Sequence, residues 1–268
     1  MILERIVSST KVRVEQAKNT LSFDKLVEKV EAIQDDTKRS PKPHDYVFEK
    51  ALNNRQVNFI CEVKKASPSK GLISDDFDYI KIAQEYQATG AACISVLTEP
   101  NYFMGANKYL EEIKNNVSIP LLRKDFIIDS YQIYESYLIG ADCILLICSI
   151  LSDKQLEEYM EIAHRLGLSV LVESHDENEV GRALSHGARI IGVNNRNLKD
   201  FTVDIENSLR LRKLVPDNIL FISESGIETA EDIRRCYEAN VNGVLIGEAL
   251  MKAKDKKKKL DELRKGIK

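Results

Sequence analysis

Residues 140–147 read Gly-Ala-Asp-Cys-Ile-Leu-Leu-Ile, and this stretch contains the unit from which the chain is built. The glycine ends a stretch of helical periodicity, and a left-handed glycine commonly follows the last turn of a helix. The apolar run after it does not alternate with polar residues, which is typical of a strand buried on both faces of a parallel sheet. The same order of helix, glycine and apolar run recurs at Gly90, Gly167 and Gly187.

Eight such apolar runs follow one another, and their first residues lie 22 to 34 positions apart. The runs are Val57–Val63, Ala91–Leu97, Ile119–Leu122, Cys143–Ile147, Leu168–Val172, Ile190–Val193, Ile219–Ile222 and Gly243–Ile246. Amphipathic stretches separate them, and Ser152–Leu166 opens with a serine cap and a glutamine three residues later. Eight strand–helix units predict an α/β fold, the closed (β/α)8 TIM barrel.

The first 50 residues lie outside this repeat. Met1–Asn19 is a predicted amphipathic helix. We therefore expect residues 1–50 to form a helical extension that packs over one end of a catalytic barrel of residues 51–268, the whole being a single domain. The lysine-rich end, Met251–Lys268, keeps an apolar helical stripe, so we interpret its charge as the solvated face of a last helix.

The composition excludes several classes of protein. The 268 residues carry 39 Lys+Arg and 42 Asp+Glu, a net charge of −3, which argues against a nucleic-acid binder. The apolar runs are too short to span a membrane, and the start is too charged for a signal peptide. The five cysteines and four histidines form no metal-ligand or disulfide pattern, so we predict buried thiols and a cytoplasmic location.

Ligands of parallel barrels bind at the carboxyl ends of the strands, and several runs end in charged or amide residues. Glu62 and Lys64 are two positions apart and therefore share a face. So many charges at one mouth are costly to bury unless they pair or bind a substrate, and crowding should shift some of their pKa values. The strand-end residues are Glu62, Lys64, Lys124, Glu173, Asn194, Arg196 and Glu224.

The loops after the last two strands predict an anion site. Ser225-Gly226 and Gly247 allow close backbone approach, and each precedes a predicted helix, which is the usual phosphate position in these barrels. Glu248 is unfavourable beside a phosphate, so we expect its carboxylate to point away. Ser67 lies in a turn-rich loop that has hydroxyls and a lysine for a phosphate or carboxylate.

Apolar residues at the strand ends have two interpretations, barrel packing or a wall for an aromatic substrate. They are Phe103, Phe126, Leu145 and Leu198. From the residues alone we predict a barrel enzyme without cofactor or metal. It would act on a phosphorylated, partly apolar substrate by acid–base catalysis with lysine and glutamate.

These strand ends resemble those of the indole-3-glycerol-phosphate synthase family of tryptophan biosynthesis. The resemblance runs from about residue 57 to 251 and implies a substrate, 1-(2-carboxyphenylamino)-1-deoxyribulose 5-phosphate. It is converted to indole-3-glycerol phosphate with loss of CO₂ and water, without a cofactor. The matching segments include Glu62-Val-Lys-Lys-Ala-Ser-Pro-Ser-Lys-Gly71, Leu122-Arg-Lys-Asp-Phe126, Leu171-Val-Glu173, Ile191-Gly-Val-Asn-Asn-Arg-Asn-Leu198, Ser223-Glu-Ser-Gly-Ile227 and Leu245-Ile-Gly247.

The resemblance also implies catalytic roles. Lys124 matches the general acid that protonates the ketone oxygen, and we expect neighbouring cations to lower its pKa. Glu173 matches the carboxylate that removes a proton and stabilises intermediates, and Glu62 matches a further essential carboxylate. Lys64 matches a mobile lysine that contacts the substrate's carboxylate or phosphate, and a role as the acid of the dehydration step is also implied for it. Asn194 matches the residue that orients substrate hydroxyls.

Binding roles follow in the same way from the resemblance. Some family members have serine where this chain has Glu248, which removes a hydroxyl from the phosphate site and leaves the backbone contact. The residues implied to bind phosphate are Ser225, Gly226, Gly247 and Glu248. Those implied to bind the rest of the substrate are Ser67, Phe103, Phe126, Leu145, Arg196, Leu198 and Glu224.

Two alternatives stay open. Another phosphate-binding barrel, such as phosphoribosylanthranilate isomerase or a sugar-phosphate isomerase, relies on Cys or Asp at strand 1, where this chain has Glu62 and Lys64. A non-catalytic docking subunit would use the leader or the lysine-rich tail, but intact Lys124 and Glu173 favour an enzyme. The expected partner is a phosphorylated small molecule, with no nucleic acid or membrane. Loose contact with other tryptophan-pathway enzymes is left open.

Overall fold

Eight parallel strands form a closed barrel, in which each strand pairs with the next and the last pairs with the first. The structure is a computed structural model that describes residues 2–35, 45–54, 56–74, 76–197 and 200–267. This architecture confirms the predicted (β/α)8 fold, and every strand overlaps its predicted apolar run. The strands are β1 Asn58–Val63, β2 Cys93–Leu97, β3 Leu121–Lys124, β4 Cys143–Ile147, β5 Ser169–Ser174, β6 Ile190–Asn194, β7 Leu220–Glu224 and β8 Gly243–Ile246.

Helices alternate with the strands and form the outer layer. In the described part of the chain, none combines the length and the apolar character needed to cross a membrane. A small hairpin of Ala66–Ser67 and Gly71–Leu72 follows β1. The helices are α1 Ile2–Thr20, α2 Phe23–Asp35, α3 Val47–Leu52, α4 Tyr79–Ala88, α5 Pro100–Phe103, α6 Asn107–Lys114, α7 Ser130–Leu138, α8 Asp153–Arg165, α9 Glu177–Ser185, α10 Glu206–Arg212, α11 Ala230–Glu238, α12 Glu248–Lys252 and α13 Lys256–Arg264.

The helix ends follow the local chemistry of the sequence. Ser152 and Gln155 form the predicted reciprocal cap at the start of α8. The four glycines that end the periodic stretches, Gly140 among them, all have φ between 78° and 86°, as predicted. Asn240 has the same left-handed conformation after α11, with φ 57°, because asparagine also tolerates that region.

Alternate residues of each strand face the barrel interior or the helices. The interior core below the mouth is mainly apolar, with the buried Ser169 as a polar exception. Each of its fully buried leucines and isoleucines contributes about 1.5–3 kcal/mol. All five cysteines are buried free thiols, as predicted. The strand residues of the interior core are Ile60, Cys93, Leu122, Cys143, Leu145, Ile147, Leu171, Ile190, Ile222 and Leu245.

The N-terminal helices contact both ends of the barrel rather than the single end that we expected. α1 reaches the mouth, where the Arg13 guanidinium forms two hydrogen bonds with Asp125, of 2.9 and 2.7 Å. α3 directly precedes β1 and therefore lies at the opposite end, where Phe48 and Leu52 join the interior core. The division of the chain at residue 50 stays a prediction, since α3 crosses it.

Candidate active site

A cavity of about 490 Å³ opens at the carboxyl ends of the strands, a size typical of small-molecule sites. The structure brings together fifteen of the sixteen predicted site residues on its wall. The sixteenth, Leu198, lies outside the described residues. The fifteen are Glu62, Lys64, Ser67, Phe103, Lys124, Phe126, Leu145, Glu173, Asn194, Arg196, Glu224, Ser225, Gly226, Gly247 and Glu248.

Lys124 is the centre of the charged part of this wall. Its Nζ donates to Glu173 Oε2 at 2.9 Å and to Glu224 Oε2 at 2.6 Å. Lys64 forms a second ion pair with Glu62. Each of these side chains occupies the last inward-facing position of its strand or, for Lys64, the next inward-facing position beyond it. Because side chains alternate between the two faces of a strand, all of them point into the same cavity.

Crowding shifts the pKa values of these groups, as we predicted. Burial raises the pKa of Glu224 to about 7, with Lys124 opposing the shift and Glu173 and Glu62 adding to it. The pKa of Glu173 lies below its ordinary value, because Lys124 and His175 outweigh the effect of burial. The carboxylates of Glu173 and Glu224 share the ammonium of Lys124. Of these two carboxylates, Glu224 binds a proton more readily because its pKa is the higher one.

The expected lowering of the pKa of Lys124 is wrong. Burial does act in that direction, but the carboxylates of Glu173 and Glu224 outweigh it and raise this pKa above its ordinary value. The expectation assumed cations as the nearest charges, whereas the groups in contact with the ammonium are anions.

The turn after β7 has an unusual backbone. Ser225 and Gly226 are both left-handed, with φ 68° and 81°. Asn195, the residue directly after β6, anchors this turn, since its Nδ2 donates to the backbone oxygen of Ser225 at 3.0 Å. A Cβ atom at Gly226 would lie 2.5 Å from Val203 Cγ1, so both this contact and the left-handed backbone favour glycine there. Both residues of the turn line the cavity.

The two predicted anion loops differ in one respect from our expectation. α12 begins directly after Gly247, as predicted. α11 begins only at Ala230, and Thr229 and Asp232 already cap its first turn. At the end of β7 the left-handed turn, rather than a helix N-terminus, therefore faces the cavity.

Glu248 lies among cations at the rim of the anion loops. Its carboxylate pairs with Lys252 at 2.6 Å and lies 3.6 Å from Lys70 Nζ and 3.7 Å from Arg196 Nη2. Burial raises the pKa of Glu248, but the three cations outweigh burial and hold this pKa below its ordinary value. Its negative charge is therefore offset locally.

An apolar wall faces the charged groups. The rings of Phe103 and Phe126 lie 6.0 Å apart at 36° to each other, and Leu145 is buried beside them in the cavity lining. Phe103 belongs to the four-residue helix α5, whose first three backbone N–H groups all donate to the buried carboxylate of Glu99. This cap holds the aromatic ring at the mouth.

Sequence reasoning missed several residues. Ile2, Leu3 and Ile6 of α1 complete the cavity wall; their periodicity shows an apolar face but not what it covers. His175 was also missed, although it lies two positions after Glu173. This is the spacing from which we inferred that Glu62 and Lys64 share a face. Within the described ranges, no group of three His, Cys, Asp or Glu side chains could hold a metal ion.

The model of the indole-3-glycerol phosphate synthase family matches residues 3–263. The chain belongs to the indole-3-glycerol phosphate synthase family. A relative of that name from Ruminiclostridium cellulolyticum is 55% identical over 264 residues, 98% of this chain and 99% of the relative. One from Endomicrobium trichonymphae is 57% identical over 264 residues, 98% of this chain and 100% of the relative.

Solved structures support the fold of this indole-3-glycerol phosphate synthase family member. The 3-hexulose-6-phosphate synthase from Salmonella typhimurium aligns with a TM-score of 0.64 at 14% identity, covering 79% of this chain and 98% of that chain. KGPDC from Streptococcus mutans aligns with a TM-score of 0.62 at 12% identity, covering 79% and 97%. At such identities the likeness concerns the barrel alone. The family resemblance inferred from the strand ends is confirmed, and the roles of single residues stay predictions.

Proposed function

We propose that the chain converts 1-(2-carboxyphenylamino)-1-deoxyribulose 5-phosphate to indole-3-glycerol phosphate, CO₂ and water, a step of tryptophan biosynthesis. The observation that carries this proposal is the position of Lys124. Its ammonium lies between two buried carboxylates on the wall of a cavity that has an apolar side and an anion-binding side. Membership of the family supports the same reaction.

The cavity suits the three parts of this substrate. The phosphate would bind the backbone of the turn at Ser225 and Gly226 and that of Gly247. The anthranilate ring would lie along Phe103 and Phe126. The substrate carboxylate would then be near Ser67 and Lys64, which line the same cavity, and the ketone would face Lys124.

Lys124 would act as the general acid. Its ammonium donates a proton to the ketone oxygen while the ring carbon that bears the carboxylate forms the new carbon–carbon bond. CO₂ then leaves and returns its bonding electrons to the ring. Lys64 donates the proton with which the new hydroxyl departs as water, while Glu173 removes a proton from carbon to complete the indole ring. The raised pKa of Lys124 keeps it charged before the reaction. The aromatic ring is itself the nucleophile, so the reaction calls for no metal or organic cofactor.

Four further side chains and the backbone of Glu248 would support these steps. Glu224 keeps the Lys124 ammonium in place through its 2.6 Å hydrogen bond. Glu62 holds Lys64 by an ion pair until substrate binds. Asn194 orients the substrate hydroxyls, and Arg196 contributes positive charge at the rim. Glu248 contributes only its backbone N–H to phosphate binding, since its carboxylate is engaged by neighbouring cations.

We infer a cytoplasmic location, because five buried free thiols suit a reducing compartment. The net charge of −3 supports a small phosphorylated substrate rather than nucleic acid as the partner. Loose contact with other enzymes of the pathway stays a prediction, which co-sedimentation of the purified proteins would test.

A fluorescence assay with the carboxyphenylamino substrate in the presence of EDTA tests the proposal. The chain has no tryptophan, so an indole signal would come from the product with little protein background. A signal that rises with time supports both the activity and the cofactor-free mechanism. A folded protein that gives no signal contradicts the proposal. Weak binding without reaction would then favour an isomerase, and tight binding without reaction a docking subunit.

A further inference from the structure

His175 contacts the carboxylate of Glu173 from the side away from Lys124. Its Nε2 lies 3.6 Å from Glu173 Oε1, whereas Lys124 Nζ binds the other oxygen, Oε2. The ring is four-fifths buried. His175 does not belong to the described residues that line the cavity. It can therefore act on the reaction only through Glu173.

Glu179 of α9 fixes the orientation of the histidine ring. Its Oε2 accepts the backbone N–H of His175 at 2.8 Å and lies 3.1 Å from Nδ1. Because a carboxylate oxygen only accepts, Nδ1 must be the donor and carry a proton. The other nitrogen, Nε2, is buried without a hydrogen-bond partner and faces Glu173.

The charge state of the ring follows from this geometry. A neutral ring with its proton on Nδ1 would direct the lone pair of Nε2 at the Glu173 carboxylate. A protonated ring directs an N–H at that carboxylate instead. The positive charge of such a ring lies between the carboxylates of Glu173 and Glu179. We propose that His175 is a positioning residue, a buried cation that holds Glu173 ionised and oriented when Lys124 gives up its proton.

The proposal rests on the proposed function and adds one element to it. Before the reaction Glu173 has a partner in Lys124, but a general acid loses its charge when it donates a proton. The imidazolium of His175 would then be the neighbouring cation that keeps Glu173 ionised and ready to accept a proton in the later steps. Without it, the free energy of the carboxylate would rise as Lys124 became neutral.

The electrostatic surroundings agree with this assignment. The charged groups that act on the ring are Glu179 of α9, Glu173 of β5 and, further away, Glu224 of β7. Burial lowers the pKa of His175, but these carboxylates outweigh burial and raise it above its ordinary value. In return, His175 is one of the groups that lower the pKa of Glu173.

The test compares His175→Asn with wild type in kcat and KM across the pH range. The acidic limb of the kcat profile should move upward by about one pH unit, since an opposite charge at such distances shifts a carboxyl pKa by roughly one to three units. At the acidic end kcat should fall about tenfold, while above about pH 8 it should recover to within about twofold of wild type. KM should stay within about twofold, because His175 does not contact substrate.

Two further variants complete the design. Glu179→Gln should move the limb in the same direction, since it removes the anion that holds the ring. His186→Asn is the matched control, because His186 lies at the far end of α9 beside Asp153 and should leave the profile unchanged. An unchanged limb in both His175→Asn and Glu179→Gln, or an equal loss of kcat at every pH, overturns the proposal.

A direct readout separates this inference from the proposed function. The chain has four histidines, and the signal missing from His175→Asn identifies His175 in a nitrogen NMR spectrum of wild type. Its titration midpoint should lie above that of an ordinary histidine, and a midpoint below that value overturns the proposal even if the enzyme is active. If wild type forms no product, the proposed function fails, and this titration still decides whether His175 is the buried cation.

Discussion

The missing side chain of Gly192 provides the space for the carboxylate of Glu224. The two residues lie on the neighbouring strands β6 and β7, and a Cβ atom at position 192 would be 2.2 Å from Glu224 Oε1. That oxygen is buried without a hydrogen-bond partner, while the other binds Lys124. A glycine inside the barrel thus sets where the carboxylate beside Lys124 can lie.

Gly192→Ala should therefore impair catalysis. The new methyl group displaces Glu224 and with it the ammonium of Lys124, and we expect kcat to fall at least about tenfold, since small misplacements of catalytic groups are costly. Gly181→Ala is the control, because a Cβ at this α9 position meets nothing within 4 Å and should stabilise the helix by roughly 0.5–1 kcal/mol. Unchanged turnover in Gly192→Ala would show that Glu224 can occupy another position without loss.

Lys124→Ala should abolish ring closure and leave phosphate binding largely intact. Loss of a general acid lowers kcat by about 10²- to 10⁴-fold. Phosphate binding should persist, because the turn at Ser225 and Gly226 follows β7, whereas Lys124 lies at the end of β3. The indole fluorescence assay measures the first effect, and the dissociation constant of inorganic phosphate measures the second. Lys154→Ala, at an exposed position of α8, serves as the control. Turnover like that of wild type in Lys124→Ala would overturn the assignment of the acid.

Glu173→Gln should lower kcat by about 10²-fold and change KM by less than about threefold, because the amide keeps the shape of the side chain but cannot accept the proton. Steady-state kinetics with substrate at saturating and limiting concentrations check both values. Glu157→Gln, at an exposed position of α8, should behave as wild type. The reverse pattern, a raised KM with kcat preserved, would make Glu173 a binding residue.

Glu224 should make the stability of the fold depend on pH. Burial raises its pKa in the folded protein from 4.5 to about 7. The folded state therefore holds this proton more tightly than the unfolded state, and the resulting stabilisation is complete below about pH 4.5 and is lost as the pH rises through about 7. Glu224→Gln lacks this dependence, so the difference in Tm, variant minus wild type, should become more positive from about pH 5 to about pH 8.

Thermal unfolding followed by circular dichroism at both pH values measures that difference. Glu228→Gln is the matched control, since Glu228 follows the same strand but is exposed. A Tm difference for Glu224→Gln that is the same at both pH values would place the proton on another group of the cluster.

The fold and most of the candidate site were predictable because their signals are local. A strand buried on both faces has to be apolar along its length, and its last inward residue is the first that can be polar. Glu62, Lys124 and Glu173 were found in that way, and the left-handed glycines marked the helix ends. The family resemblance then supplied the substrate and the order of the chemical steps.

The remaining features depend on which elements meet in space. The periodicity of α1 shows an apolar face, but only the structure shows that Ile2, Leu3 and Ile6 cover the mouth. The pKa of Lys124 depends on charges from distant parts of the chain, and the sequence does not show that anions contact it first. Gly192 matters through an atom that it lacks, and such an absence has no local pattern.

The closed barrel has a consequence for the order in which the chain is synthesised. β8 pairs with both β7 and β1, so a nascent chain exposes two strand edges until residues 243–246 leave the ribosome. Unpaired edges are where incomplete chains associate wrongly. The barrel therefore cannot close until all eight strands have been released, and a premature stop after β7 should yield a product that aggregates.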